Sequence, residues 1–241
     1  MRPCPPLPAL TRDCALFLDI DGTLLDFSLS PDGVIVPPGL PATLHARKAD
    51  LGGALALLSG RRITDIEAMF GPGLAAGAEH GALLRGADGT IIAETCPDPA
   101  LAQIVKPLRA AVAARPGTLL EEKRFGLVLH WRAAPAMAEE LTALGEELAA
   151  PHPGLMLMPA HQALEIRMRG ADKGAALNRF MSLAPFLGRK PVFIGDDVTD
   201  EPAIARAKEM GGLGLHVARD FGGATQSVRA WLVAGVKRGD I

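Results

Sequence analysis

The chain has 241 residues, 49% hydrophobic and 22% charged, so it can bury the core of one large domain or two modest ones, which excludes disorder. Its 25 Lys+Arg against 27 Asp+Glu leave a formal charge of −2, which gives no reason to expect nucleic acid as a partner. Three cysteines (Cys4, Cys14, Cys96) fit neither a disulfide framework nor a zinc knuckle, and no apolar leader or span follows the Pro3, Pro5, Pro6 and Pro8 cluster, so a soluble protein of the reducing cytoplasm, off the membrane, is expected.

Taken in chain order, residues 15–19 form a short apolar run of the kind that makes a strand buried on both faces, ending abruptly in Asp19-Ile20-Asp21-Gly22-Thr23. A helical pattern over 41–49 leads to a second apolar run at 54–58, ended by Ser59-Gly60-Arg61, and another helix follows over 63–70. Asp98-Pro99 starts a helix with Leu101, Ile104, Val105, Leu108 and Val112 at helical spacing, in which Pro107 is expected to introduce a kink. Residues 118–121 and 125–132 read as a strand pair, Met137, Leu141, Leu144 and Leu148 mark a second helix, and 154–158 and 163–168 read as a second pair. A helix over 173–183 and an apolar run at 191–194, ended by Gly195-Asp196-Asp197, return the chain to the earlier alternation.

The expected architecture is therefore an α/β core with a Rossmann-like parallel sheet, formed by 1–96 and 168–241, interrupted by an α+β cap of order αββαββ over 97–167. Parallel strands put their carboxyl ends on one side, where open α/β sheets bind ligands.

Asp19 and Asp21 stand two apart at one such strand end, and Asp196 and Asp197 follow another. Acids so close repel by several kcal/mol unless a divalent cation, a lysine or a proton compensates. Hard oxygen ligands with room for water and phosphate suit Mg²⁺. Taken alone, Asp-x-Asp-Gly is most often a plain turn. A calcium loop begun at Asp19 fails, because Leu24 falls where glycine is needed and Ser30 where the bidentate Glu belongs. Gly71-x-Gly73-x-x-Ala76 imitates a dinucleotide fingerprint but follows a helix instead of a strand.

Phe17-Leu18-Asp19-Ile20-Asp21-Gly22-Thr23-Leu24, Leu58-Ser59-Gly60-Arg61, Lys173-Gly174 and Gly195-Asp196-Asp197 resemble, in order, the four motifs of the haloacid-dehalogenase-like phosphohydrolases. The resemblance implies that Asp19 is the nucleophile and Asp21 the acid and base, with Ser59 and nearby amides holding phosphoryl oxygens and Lys173 neutralising charge. It also implies Mg²⁺ held by Asp19, the Asp21 carbonyl and Asp196, with Asp197 or Asp200 as further ligands. Gly195-Asp196-Asp197-Val198-Thr199-Asp200-Glu201, Glu122-Lys123 with His130-Trp131-Arg132, and Glu165-Ile166-Arg167 before Asp172-Lys173-Gly174 are similar to the trehalose-phosphatase branch. That branch implies trehalose 6-phosphate as the substrate, with Glu122, Lys123, His130 and Glu165 on the sugar and a cap that opens to admit it and closes to exclude water. Trp131 stands where Tyr is usual, Glu79 where a small or apolar residue is commoner, and the usual proline is missing from 166–172.

Arg61 is expected to contact either the phosphate or Asp65 of its own helix. Two rivals are a phosphatase of another sugar or polyol phosphate, and a non-catalytic phosphate-binding regulator. A monomer is expected, with a small-molecule sugar phosphate as its partner.

Overall fold

The computed structural model describes residues 7, 9–27, 33–160 and 162–235. Cys4, Ser30 and the prolines at 3, 5, 6 and 8 lie outside them. The chain splits into two compact units, one of residues up to Glu94 and from Asp172 onward, the other Thr95–Ala171.

The first unit is built on a seven-stranded sheet. Its strands are β1 (Cys14–Leu18), β2 (Leu55–Leu58), β3 (Ala75–Ala78), β4 (Leu83–Arg85), β5 (Ile91–Glu94), β10 (Lys190–Gly195) and β11 (Leu213–His216), in the order β11-β10-β1-β2-β3-β4-β5. Strands β11 to β3 are parallel, while β4 and β5 are antiparallel additions at one edge. Helices α1 (Leu40–Asp50) and α2 (Ile63–Phe70) connect β1 to β2 and β2 to β3, and α5 (Lys173–Met181) and α6 (Glu201–Glu209) precede and follow β10. From β1 the chain steps one way to β2 and β3, then resumes on the other side of β1 with β10 and β11. Right-handed crossovers running in opposite directions place their helices on opposite faces. Accordingly α5 packs on α6, and α1 packs on α2 and on the helix Thr225–Ala234. The order reverses between β1 and β10, and the carboxyl ends of those two strands carry Asp19 and Asp196.

Core strands β1 and β2 are buried along their whole length, as uninterrupted apolar runs require. Phe17, Phe180 and Phe186 form an aromatic cluster with centroids 5.2–6.2 Å apart, anchoring α5 to β1. Strands β4, β5 and β11 have no counterpart in the expected elements. The first two form a short hairpin over Gly86–Thr90, where the Asp88 side chain accepts from the Thr90 amide.

The second unit is α3 (Pro99–Ala113), β6 (Leu119–Glu122), β7 (Gly126–His130), α4 (Ala138–Ala149), β8 (Leu155–Ala160) and β9 (Ala163–Met168), with an antiparallel sheet of order β6-β7-β9-β8. Its limits differ from 97 and 167 because β9 runs through Met168 and the Arg169 side chain still donates to the Pro153 and Leu155 carbonyls. Helix α3 continues past Pro107, which lies on its exposed side, where the carbonyl of Gln103 can turn to water. None of the helices among the described residues is long and apolar enough to cross a membrane.

The Phe180 ring is fully buried and touches both other rings of the cluster. Phe180→Ala should lower the stability by about 3–5 kcal/mol, read as a fall in the urea midpoint at unchanged slope.

Candidate active site

Four loops meet where the sheet order reverses. Residues 19–23 follow β1, Ser59-Gly60-Arg61 follow β2, Asp196-Asp197 follow β10, and Lys173 opens α5, with Asp172 capping that helix by accepting from the Ala175 amide at 2.8 Å. Lys173 is 3% exposed, and its Nζ donates to Asp19 Oδ1 and to Asp200 Oδ1, both at 2.6 Å. Asp19 is 4% exposed and Asp200 fully buried. The second oxygen of Asp200 accepts from the amides of Asp196 at 2.9 Å and Asp197 at 3.2 Å, so Asp200 ties the end of β10 to the lysine.

Asp19, Asp196 and Asp200 bring carboxylate oxygens within 4.8 Å of one another. One ammonium among three acids leaves excess negative charge. Burial, with Asp200 and Asp196 beside it, raises the Asp19 carboxyl well above the usual range despite Lys173. Burial, together with the charges of Asp200 and Asp197, lifts Asp196 to about 6. Burial works against the Lys173 charge, but Asp19 and Asp200 outweigh it and hold the ammonium above its ordinary value. The donor set, three hard oxygens short of positive charge, fits a divalent cation.

Asp197 does not join this group. Its Oδ1 accepts from the Thr199 amide at 2.8 Å and hydroxyl at 2.7 Å, capping the turn before α6. Burial opposes its charge, while Thr199, Lys173 and, least, His80 keep it below its usual value. Of the two acids expected as further ligands, Asp197 therefore caps a turn outside the cluster, and Asp200 lies within it.

Of the two expected contacts of Arg61, Asp65 is not the one made. Its Nε and Nη2 donate to the two oxygens of Asp21 at 2.7 and 2.6 Å, while Arg62 takes Asp65. Ser59 Oγ, almost fully buried, accepts from the Arg61 amide at 3.2 Å. Gly22 is required twice over: its φ is +81°, and a Cβ there would lie 2.1 Å from Asp196 Oδ2.

The second unit carries a polar row of its own on one sheet face. Register places Glu121 opposite Val128, which in turn opposes Glu165. On this face Lys123 Nζ bonds Glu165 Oε1 at 3.1 Å, with both side chains 9% exposed, and His130 Nε2 meets Glu121 Oε2 at 2.9 Å. Burial opposes the Glu121 charge, but His130 and Lys123 bring its carboxyl below the usual value. Three of the four expected sugar ligands, Lys123, His130 and Glu165, therefore come together. Glu122 points to the opposite face and is held by Arg109 of α3 at 2.8 and 2.9 Å. Its neighbour Glu121, which was not expected, completes the row.

The trehalose-phosphatase family matches residues 17–233. The chain belongs to that family. It is 36% identical to the trehalose-6-phosphate phosphatase of Escherichia coli K12 over 236 residues, 98% of this chain and 87% of the relative. The C-terminal domain of the trehalose-6-phosphate phosphatase of C. albicans superposes with a TM-score of 0.75 at 18% identity, covering 93% of this chain and 92% of that one. A haloacid dehalogenase-like hydrolase from Bacteroides thetaiotaomicron does so with a TM-score of 0.60 at 16% identity, over 89% and 98%. These two likenesses bear out the expected core fold.

In this trehalose-phosphatase family member, Lys173→Met would leave Asp19 and Asp200 buried without their counter-charge, at a cost of about 3–5 kcal/mol. The Asp19 carboxyl, already raised and now without Lys173, would bind a proton more readily folded than unfolded, so the loss should be larger near about pH 8 than near about pH 5.5. Urea unfolding in EDTA at both values checks this, and an equal loss at both would contradict it.

Proposed function

We propose that the chain hydrolyses trehalose 6-phosphate to trehalose and phosphate through a phosphorylated Asp19, with Mg²⁺ as cofactor, as a cytoplasmic monomer at the last step of trehalose synthesis. The observation that carries the mechanism is the buried Asp19–Lys173–Asp200 chain beside Asp196, at the point where the sheet order reverses. Membership of the family carries the substrate.

In this reading Asp19 attacks phosphorus; the new carboxylate–phosphorus bond forms as the bond to the sugar oxygen breaks, and Asp21 gives that oxygen a proton. Water then attacks the same phosphorus, Asp21 takes its proton, and the Asp19 carboxylate leaves. Each Asp21 oxygen accepts one bond from Arg61, so the proton is given and taken on a lone pair that the guanidinium does not use. Ser59 and the Gly60 amide receive phosphoryl oxygens, and Lys173 offsets charge near the nucleophile. Asp19, Asp196 and the Asp21 carbonyl would hold Mg²⁺, with Asp200 orienting the loop through the amides it accepts from. When bound, the ion neutralises charge on the phosphoryl oxygens.

From the second unit, Glu121, Lys123, His130 and Glu165 would bond the sugar hydroxyls, since a neutral polyol needs fixed donors and acceptors. Cys14 and Cys96, both unpaired, support the reducing compartment.

Phosphate release should depend on Mg²⁺, stop with EDTA, and favour trehalose 6-phosphate over glucose 6-phosphate, mannose 6-phosphate and sucrose 6-phosphate. Release from the others alone would overturn the substrate and keep the core chemistry. Glu121→Gln should lower kcat/KM for the trehalose ester by about tenfold or more, and Glu122→Gln by less than about twofold. Equal losses would contradict the face assignment.

A further inference from the structure

We propose that His80 is a positioning residue for the phosphoryl-binding turn: its ring braces Ser59-Gly60, and residue 60 is glycine because the imidazole occupies the space a side chain would need. This rests on the reading of Ser59-Gly60 as the turn that receives phosphoryl oxygens.

Strand β3 ends in a corner, Glu79-His80-Gly81, with unusual backbone. Glu79 (φ 46°) and His80 (φ 59°) both lie in the left-handed region without being glycine, and both are buried. Such strain persists only where the surroundings over-determine it, and it gathers at functional sites. Here two bonds fix the corner to the turn. The His80 amide donates to the Ser59 carbonyl at 2.9 Å, and the Glu79 amide to the Arg61 carbonyl at 3.0 Å. On its other side the corner abuts the start of α5. A Cβ on Gly81 would lie 2.9 Å from the Asp172 carbonyl oxygen, next to Lys173.

The His80 ring lies against Gly60. A Cβ there would be 2.5 Å from Nε2 and 2.7 Å from Cε1, well inside contact distance. Unlike Gly22, Gly60 has no positive φ to explain it. His80 is buried and rooted in a constrained backbone, so its ring cannot swing aside at little cost. The corner thus spans the two elements that would grip the phosphate, the Ser59 turn and the head of α5, and the ring sets the shape of the first.

A double-mutant cycle read by binding of inorganic phosphate, titrated calorimetrically with Mg²⁺ present, tests the proposal without relying on turnover. Gly60→Ala should weaken phosphate binding by about tenfold or more, and His80→Ala by a similar factor with a melting temperature close to the parent's. In the His80→Ala background, Gly60→Ala should cost less than about threefold further, because the space is then vacant. If Gly60→Ala does not fold alone, its recovery as a folded, phosphate-binding protein alongside His80→Ala supports the same conclusion, and failure to recover overturns it. Penalties that multiply, in a parent that binds phosphate, overturn the role of His80 and leave the proposed function standing. A parent that neither binds phosphate nor hydrolyses any ester overturns both.

Discussion

A lysine with almost no access to water holds two carboxylates at 2.6 Å, and the rest of the site is arranged around that fact. Removing three charged groups from solvent costs several kcal/mol each, which attraction repays only when every hydrogen-bonding position is used. Lys173 uses two of its three donors on Asp19 and Asp200, and Asp200 spends its other oxygen on the amides of Asp196 and Asp197. The nucleophile assigned to Asp19 is thus fixed in direction by a chain of bonds that reaches into α5 and the loop before α6. The Asp19 carboxyl is raised and Asp196 sits near 6, the signature of a site still short of positive charge. A divalent cation is the ligand that such an imbalance suits, and a negatively charged phosphate ester would need that cation's charge beside it.

Topology delivers these groups to one place. The sheet order reverses between β1 and β10, so the chain leaves those strands toward opposite faces, and the carboxyl ends bring Asp19 and Asp196 together at that edge. Close approach of backbones then matters as much as the acids. At Gly22 any side chain would collide with Asp196, and at Gly195 a Cβ would come within 2.3 Å of the Asp200 carboxyl carbon. The aromatic cluster of Phe17, Phe180 and Phe186 fastens α5 to β1, which keeps Lys173 in register with Asp19.

Much of this is legible in the sequence, because the signals are local. Apolar runs that stop at Asp19, Ser59 and Asp196 mark strand ends, and the αββαββ order of the second unit follows from the change of period from 3.6 to 2. What is not legible depends on tertiary choices. In Leu119-Leu120-Glu121-Glu122 both apolar and both acidic residues come in adjacent pairs, so alternation does not say which Glu shares the face of Glu165. Pairing with Val128 decides for Glu121, and Arg109 claims Glu122. Asp197 and Asp200 are likewise equivalent as letters, and it is the cap on Thr199 that removes Asp197 from the cluster while Lys173 retains Asp200. Arg61 and Arg62 divide Asp21 and Asp65 between them for the same reason: only the turn after β2 determines which guanidinium faces inward. Strand β11 is short and contains glycine, which leaves almost no period to read.

The proposed hydrolysis turns on Asp19 becoming covalently phosphorylated. Its most direct test mixes the Mg²⁺-loaded protein with trehalose 6-phosphate, quenches within one turnover, traps acyl phosphates by borohydride reduction, and sequences the peptides by mass spectrometry. The predicted result is homoserine at position 19, formed only when substrate and Mg²⁺ are both present. Phosphate released in that same turnover with residue 19 unmodified would contradict it, because water would then be attacking the ester directly.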